Sequence, residues 1–254
     1  MQHHRRAGLV IVAVLAGLAS VSGCGSSGDA RVEQLALRVD SLATTLTLVT
    51  QRLNAGAPLA QPETLTVSTS GAATRGDPGA PVTIVEFTDY QCPFCGRHAT
   101  TTLSALDSAY IRTGKVRYVL RDLPLGFHAM ARPTAIAARC AGRQDAAAYW
   151  RFHDAVFAAQ DGLADSTLER IAGDLRLEPH GFRECRASPE IAEAVDADAA
   201  AAARLGLTGT PAFIVGRTGA DSLRGVVIRG ALPYAQFAAA VDEMLAGDQV
   251  AVRK

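Results

Sequence analysis

An apolar run from Val82 to Phe87 leads directly into Cys92-Pro93-Phe94-Cys95, and this junction constrains the chain more than any other stretch. A continuous apolar run of that length suits a strand buried on both faces. An amphipathic segment follows, from about Gly96 to Ile111, so the local order is strand, tight turn, helix, with Cys92 at the helix mouth. A thiolate there meets unpaired backbone N–H groups and the positive end of the helix dipole, which favour its charged form. Cysteines at this spacing close a small disulfide. Cys92 is expected to be the exposed attacking sulfur and Cys95 the shielded one behind it. The alternatives are a structural metal half-site or a plain structural disulfide. A zinc site calls for a second Cys or His pair at similar spacing. The sequence offers none, so the reading is a redox pair without metal.

One acid interrupts the apolar run. Glu86 lies six residues before Cys92 and so beneath the turn. A buried carboxylate there would take the proton of Cys95 as that sulfur attacks a mixed disulfide, with desolvation raising its pKa. The alternative is a carboxylate on a solvated edge. Asp89 reads as a turn residue. His98 is expected to face solvent from the helix, and His153 to lie in an aromatic insert core.

The N-terminus reads as an export signal over residues 1–23. His3, His4, Arg5 and Arg6 form a basic start, and Ala7 to Val21 is apolar but shorter than the ~20 residues a spanning helix needs. Val21-Ser22-Gly23-Cys24 resembles the bacterial lipobox, in which the cysteine is lipidated and becomes the first mature residue. An ordinary signal peptide or an uncleaved anchor is the alternative. Lipidation of Cys24 implies an extracytoplasmic protein anchored to a bacterial membrane, on the periplasmic or cell-surface side, where disulfides persist. Residues 24–30 form a flexible spacer. Over residues 31–53, Val32, Leu35, Val39, Leu42, Leu46, Val49 and Leu53 alternate steps of three and four, the seam of a parallel two-stranded coiled coil. A homodimer through this segment and a lone stalk helix both fit it. Residues 54–63 are a linker.

Charge is balanced, with 25 basic and 25 acidic residues, which argues against a nucleic-acid surface. Beyond the linker, Thr64 to Ser68 suits a short strand, Gly71 to Pro81 a loop, and Lys115 to Arg121 an alternating strand. Residues from about 125 to 205 are alanine-rich and broken by Gly and Pro, reading as four or five short helices. Strand character returns over Gly209-Thr210-Pro211-Ala212-Phe213-Ile214-Val215. Val226 to Arg229 makes another strand, and Pro233 to Ala246 a closing helix. Cys140 and Cys185 both fall in the helical stretch. Outside the cytoplasm they suit a structural disulfide, with two buried thiols or an electron-shuttle pair as alternatives.

Cys-Pro-Phe-Cys after a strand, the helical insertion and the Gly-Thr-Pro-Ala-Phe segment together resemble the DsbA-like branch of the thioredoxin superfamily, over roughly residues 64–250. The resemblance implies an α/β thioredoxin-like fold, a central mixed sheet flanked by helices, with a helical insertion domain. It maps the nucleophile to Cys92, the resolving cysteine to Cys95, the buried acid to Glu86, and a cis proline to Pro211 after Thr210. Thr210, Pro211, Pro93 and Phe94 would then meet the substrate, with the residue 210 backbone pairing an extended chain. No cofactor is implied. The function implied is extracytoplasmic thiol-disulfide exchange with exported, cysteine-bearing proteins, as a disulfide-forming oxidase served by a membrane redox partner. Isomerase or reductase action is an alternative, as is a non-enzymatic copper-binding or chaperone lipoprotein. Strongly oxidising members carry His between the cysteines; Pro93-Phe94 lacks that imidazole, so a less oxidising pair is expected.

Overall fold

The computed structural model describes residues 35, 38–39, 41–47 and 62–251, with side chains up to 247. Two compact units divide after Gln61. In the first, the described residues are helical, and Leu35, Val39 and Leu42 are 57–70% exposed. Cys24, the export signal and the heptad positions Val32, Val49 and Leu53 lie outside the described residues.

The second unit is built on a six-stranded mixed sheet of β1 (Thr64–Ser68), β2 (Ala73–Arg75), β3 (Val82–Thr88), β4 (Val116–Asp122), β5 (Ala212–Arg217) and β6 (Ser222–Arg229), ordered β1-β6-β5-β3-β4-β2. All seven residues of β3 are buried, as its apolar composition requires of a strand covered on both faces. β3 pairs in parallel with β4 and antiparallel with β5, so Glu86 stands opposite Leu120 on one side and Phe213 on the other. The crossover between β3 and β4 is α1, residues 93–111, in which α-helical turns (Pro93–Arg97, Leu103–Leu106) alternate with π-helical ones (His98–Thr102, Asp107–Ile111).

Between β4 and β5 come five insert helices: α2 (Ala131–Gln144), α3 (Ala146–Ala158), α4 (Asp165–Asp174), α5 (Pro179–Arg186) and α6 (Pro189–Arg204). The closing helix α7 spans Tyr234–Ala251, longer than Pro233 to Ala246, and buries Phe237 and Val241. One sheet face, with Ile84, Tyr118 and Phe213, packs on α1, α7 and most of the insert. The other, with Val85, Phe87, Val119 and Ile214, packs on Ala202 of α6 and Leu207.

Two expectations are corrected. Gly71 to Pro81 is not all loop, because Ala73–Arg75 pairs antiparallel with β4 as an edge strand. β4 is buried almost throughout rather than alternating, because the insert covers the face that a simple two-layer reading leaves to solvent.

Cys140 of α2 and Cys185 of α5 are joined, with Sγ–Sγ 2.04 Å and Cα–Cα 5.6 Å. Closing a loop across a separation of 45 residues stabilises by about 4 kcal/mol in the chain-entropy account. The insert is also tied to the sheet by buried charge. Arg121 of β4 donates to Asp198 of α6. Arg139 of α2 reaches Asp122 at 2.5 Å and Asp198 at 2.6 Å, and the Asp122 N–H donates to Asp198 at 3.1 Å. Two arginines thus balance two aspartates where β4, α2 and α6 meet.

Candidate active site

Cys92 has extended backbone angles (φ −70°, ψ 119°) and occupies the N-cap of α1, with Pro93 in the first turn. Proline suits that position because its missing N–H has no helical partner there. Cys92 and Cys95 are both free thiols. Cys95 is fully buried. Cys92 is only 4% exposed, less open than its expected role as the exposed sulfur suggests. Pro93 is exposed, and Phe94 is 52% exposed with Arg97 over its ring at 5.1 Å. The two sulfurs therefore lie under the rim that these side chains form.

The Thr210-Pro211 peptide bond is cis. The Thr210 carbonyl lies 3.4 Å from Cys92 Sγ, as acceptor of the thiol proton. The Cys92 pKa falls to about 5, because the Cys95 thiol donates to the Cys92 sulfur, with help from the Thr210 hydroxyl, not its carbonyl, and from the backbone N–H groups of Cys95 and Phe94. Cys95 moves the other way, pushed up by burial and then by its hydrogen bond to Cys92. The Asp89 N–H also points at Cys95 Sγ, 3.5 Å away.

Glu86 is 2% exposed, so it does not lie on a solvated edge. Burial raises its pKa to about 7, against the opposing influence of the Tyr118 and Thr88 hydroxyls. Tyr118 Oη donates to Glu86 Oε2 at 2.5 Å, and His98 Nε2 lies 3.0 Å from the same hydroxyl. His98 is fully buried between Phe213 and Phe237, contrary to its expected solvent position. The signal was present. Three residues beyond a buried cysteine on a helix is the same helix face. Tyr118 carried no local signal, because only the β3–β4 register places it beside Glu86.

The turn itself is clamped. Asp89 Oδ1 accepts from the N–H groups of Gln91 (2.7 Å) and Cys92 (3.2 Å), as an aspartate in a turn does. Its Oδ2 accepts from Leu125 N–H at 2.8 Å and meets His128 Nδ1 at 2.9 Å. Gln160, just past α3, donates its amide to the carbonyls of Tyr90 (2.9 Å) and Cys92 (2.8 Å). Gly96 makes room for it, since a Cβ there would overlap Gln160 Oε1. Gln91 Oε1 accepts from the N–H of Met130 at the start of the insert. The clamp roles of Gln160 and His128 leave no local sign in the sequence, because their partners lie far along the chain. His153 is buried in the insert core, as its aromatic surroundings imply.

Chemically, the arrangement holds one acidified sulfur near the surface, one protonated sulfur beneath it, and a carboxyl group poised near neutrality. That set suits exchange of a disulfide with a partner thiol. Among the described residues there is no group of three or more His, Cys, Asp or Glu placed to hold a metal.

The family model described as Thioredoxin matches residues 68–243. Among curated proteins, the chain is 39% identical over 142 residues to the Na(+)/H(+) antiporter NhaA 3 of Salinispora tropica; the match covers 56% of this chain and 21% of that protein. The chain thus spans about a fifth of the length of that relative. It is 26% identical over 155 residues to disulfide bond formation protein D of Bacillus subtilis, covering 58% of this chain and 69% of that one. Among solved structures, alpha-DsbA1 of Wolbachia pipientis is similar in fold, with a TM-score of 0.64 at 23% identity, over 72% of this chain and 95% of that one.

Proposed function

We propose, from the premise that this chain belongs to the thioredoxin family, that it is an extracytoplasmic protein thiol-disulfide oxidoreductase acting through Cys92 and Cys95. The observation that carries this reading is the pair itself, with an acidified Cys92 capping α1 against the Thr210 carbonyl and a buried Cys95 behind it. In the oxidised form a substrate thiolate attacks Cys92 Sγ. The Cys92–Cys95 bond breaks and Cys95 leaves as a thiolate, taking a proton from the Glu86 carboxyl. The substrate's second thiolate attacks its own mixed-disulfide sulfur, and Cys92 leaves as a thiolate. The substrate has lost two electrons and the enzyme has gained them. A membrane redox partner removes them again. The Thr210 backbone, Pro211, Pro93 and Phe94 border the place where the substrate chain lies.

The acidified Cys92 supports the oxidase direction, since a stabilised thiolate favours the reduced enzyme and so makes its disulfide a better oxidant. With Phe94 in place of an imidazole, the reduction potential is expected below the about −120 mV of the strongest oxidants of this type. A glutathione redox titration reads it, and oxidation of reduced ribonuclease without unscrambling of scrambled ribonuclease supports the oxidase. Unscrambling as the dominant activity would make it an isomerase.

The reading includes an anchor and a dimer. Cys24 carries lipid, and residues 31–53 pair two copies through a seam that includes the exposed Leu35, Val39 and Leu42. Cys24→Ala protein is expected to leave the membrane fraction and to sediment as a dimer, and as a monomer once residues 29–54 are removed. A monomer mass in both forms would sink the dimer, and retention in the membrane would sink the lipid anchor.

A further inference from the structure

Glu86 can serve as a proton acceptor only if its carboxylate, once formed, is held in a site that burial makes hostile to charge. The structure provides one neutral donor within hydrogen-bond distance of it, the Tyr118 hydroxyl, 2.5 Å from Oε2, while the nearby Thr88 hydroxyl makes no such bond. A hydroxyl has a single hydrogen, which it can turn to either neighbour. The other neighbour is His98 Nε2 at 3.0 Å. If that nitrogen carried a lone pair, it would compete with Glu86 for the tyrosine hydrogen. If it carries the proton, it donates to Tyr118 Oη and leaves the tyrosine no choice but Glu86.

The rest of the imidazole decides between these. His98 Nδ1 is buried and meets no partner. A buried N–H with no acceptor is rarer in folded proteins than an unsatisfied acceptor, so the proton belongs on Nε2 and the lone pair on Nδ1, a tautomer assigned from the network. His98 also stays neutral, since burial and then the nearby His153 lower its pKa to about 3.

We propose that His98 and Tyr118 are positioning residues for the exchange reaction, with His98 Nε2–H donating to Tyr118 Oη so that the tyrosine hydrogen is committed to the Glu86 carboxylate. The proposal rests on the reading of Cys92, Cys95 and Glu86 given above. It adds a neutral donor chain in the place where a cation could otherwise match a buried carboxylate.

The groups around Glu86 are few and come from identifiable elements. Tyr118 comes from β4, Thr88 from β3 itself, Cys92 and Cys95 from the turn and α1, and Tyr90 from the turn. His98 stands behind Tyr118, with His153 of α3 beyond it, and Arg75 of β2 acts on Tyr118 and His153 from further off. Phe213 and Phe237 supply the apolar wall from β5 and α7.

The test uses the mixed disulfide of the protein with glutathione at Cys92. In its resolution, the Cys95 thiol gives its proton to Glu86 and its sulfur attacks Cys92 Sγ. The bond to glutathione breaks, and glutathione leaves as a thiolate that takes a proton from water. The rate therefore rises with pH as Glu86 ionises. Tyr118→Phe is expected to move the midpoint up by about 1–2 pH units, the worth of one hydrogen bond to a charged group. His98→Phe should move it in the same direction, and His98→Gln, whose amide can still donate, should return it toward the wild-type midpoint. Glu86→Gln should remove the midpoint, and adding Tyr118→Phe to it should then have no further effect. An unmoved midpoint in Tyr118→Phe overturns the proposal, and equal shifts in His98→Phe and His98→Gln remove His98 from it. A wild-type adduct that releases no glutathione at any pH would instead sink the reading of Cys92 and Cys95 on which the proposal rests.

Discussion

Replacing Cys92 with alanine is expected to lower disulfide exchange at least about a thousandfold, the scale of losing a nucleophile. The physical basis is the difference between the two sulfurs. Cys92 titrates at about 5, so at neutral pH it is almost wholly thiolate, against a few per cent for an ordinary cysteine. Cys95 is fully buried and pushed the opposite way, so it cannot stand in. Cys95→Ala should instead begin the reaction and stop at the mixed disulfide, which would accumulate as a covalent adduct with a substrate protein. The ultraviolet absorbance of the thiolate checks the assignment. The wild-type midpoint should lie at about 5 and vanish in Cys92→Ala. In Cys95→Ala it should rise by about 1–2 units, because the Cys95 thiol is the largest acidifying contact. The sign for stability follows. A depressed thiol pKa stabilises the folded reduced form fully above the ordinary thiol range, and this contribution is lost as pH falls through about 5. Full exchange activity in Cys92→Ala would show that Cys95 attacks alone and would overturn the assignment.

Replacing Asp198 with alanine is expected to cost about 3–5 kcal/mol of stability, the range for removing one partner of a buried ion pair. Asp198 is 4% exposed and receives Arg121, Arg139 and the backbone N–H of Asp122. Without it, two arginines face one aspartate in a water-poor junction. For a folded unit of this size the loss corresponds to a fall in Tm of about 10 °C or more. Asp196→Ala is the control on the same helix. Its pair with Arg132 is 54% exposed on the aspartate side and 46% on the arginine side, so its loss should cost no more than about 1 kcal/mol. Equal melting temperatures for the two variants would show that the junction is not where the insert is held.

Much of this was legible in the residues. The run from Val82 to Phe87 specified all of β3 but its last residue, because a strand buried at every position needs side chains that tolerate burial; Glu86 stood out by breaking that rule. The helix after Cys95 followed from its amphipathic spacing. What stayed hidden depends on distance along the chain. β2 is three residues long and takes its identity from pairing with Leu120, Val119 and Tyr118, which no local pattern encodes. Tyr118 meets Glu86 only through strand register, and Gln160 meets the Cys92 carbonyl across 68 residues. His98 is different: its burial followed from the helix period once Cys95 was taken as shielded. Acid-base pairs such as Arg121 with Asp198 have many possible partners in a chain with 25 residues of each sign, so composition cannot select among them.

The clamp on the active-site turn has a consequence for how such a chain can be varied. Asp89, Gln91 and Gln160 hold the turn through backbone groups of residues 90, 91, 92, 125 and 130. None of these bonds uses the side chain of Pro93 or Phe94, both of which are exposed. The two exposed positions between the sulfurs are therefore uncoupled from those that keep the turn in shape. The dipeptide acts as a replaceable cartridge: its chemistry can be exchanged while the mounting around it stays as it is.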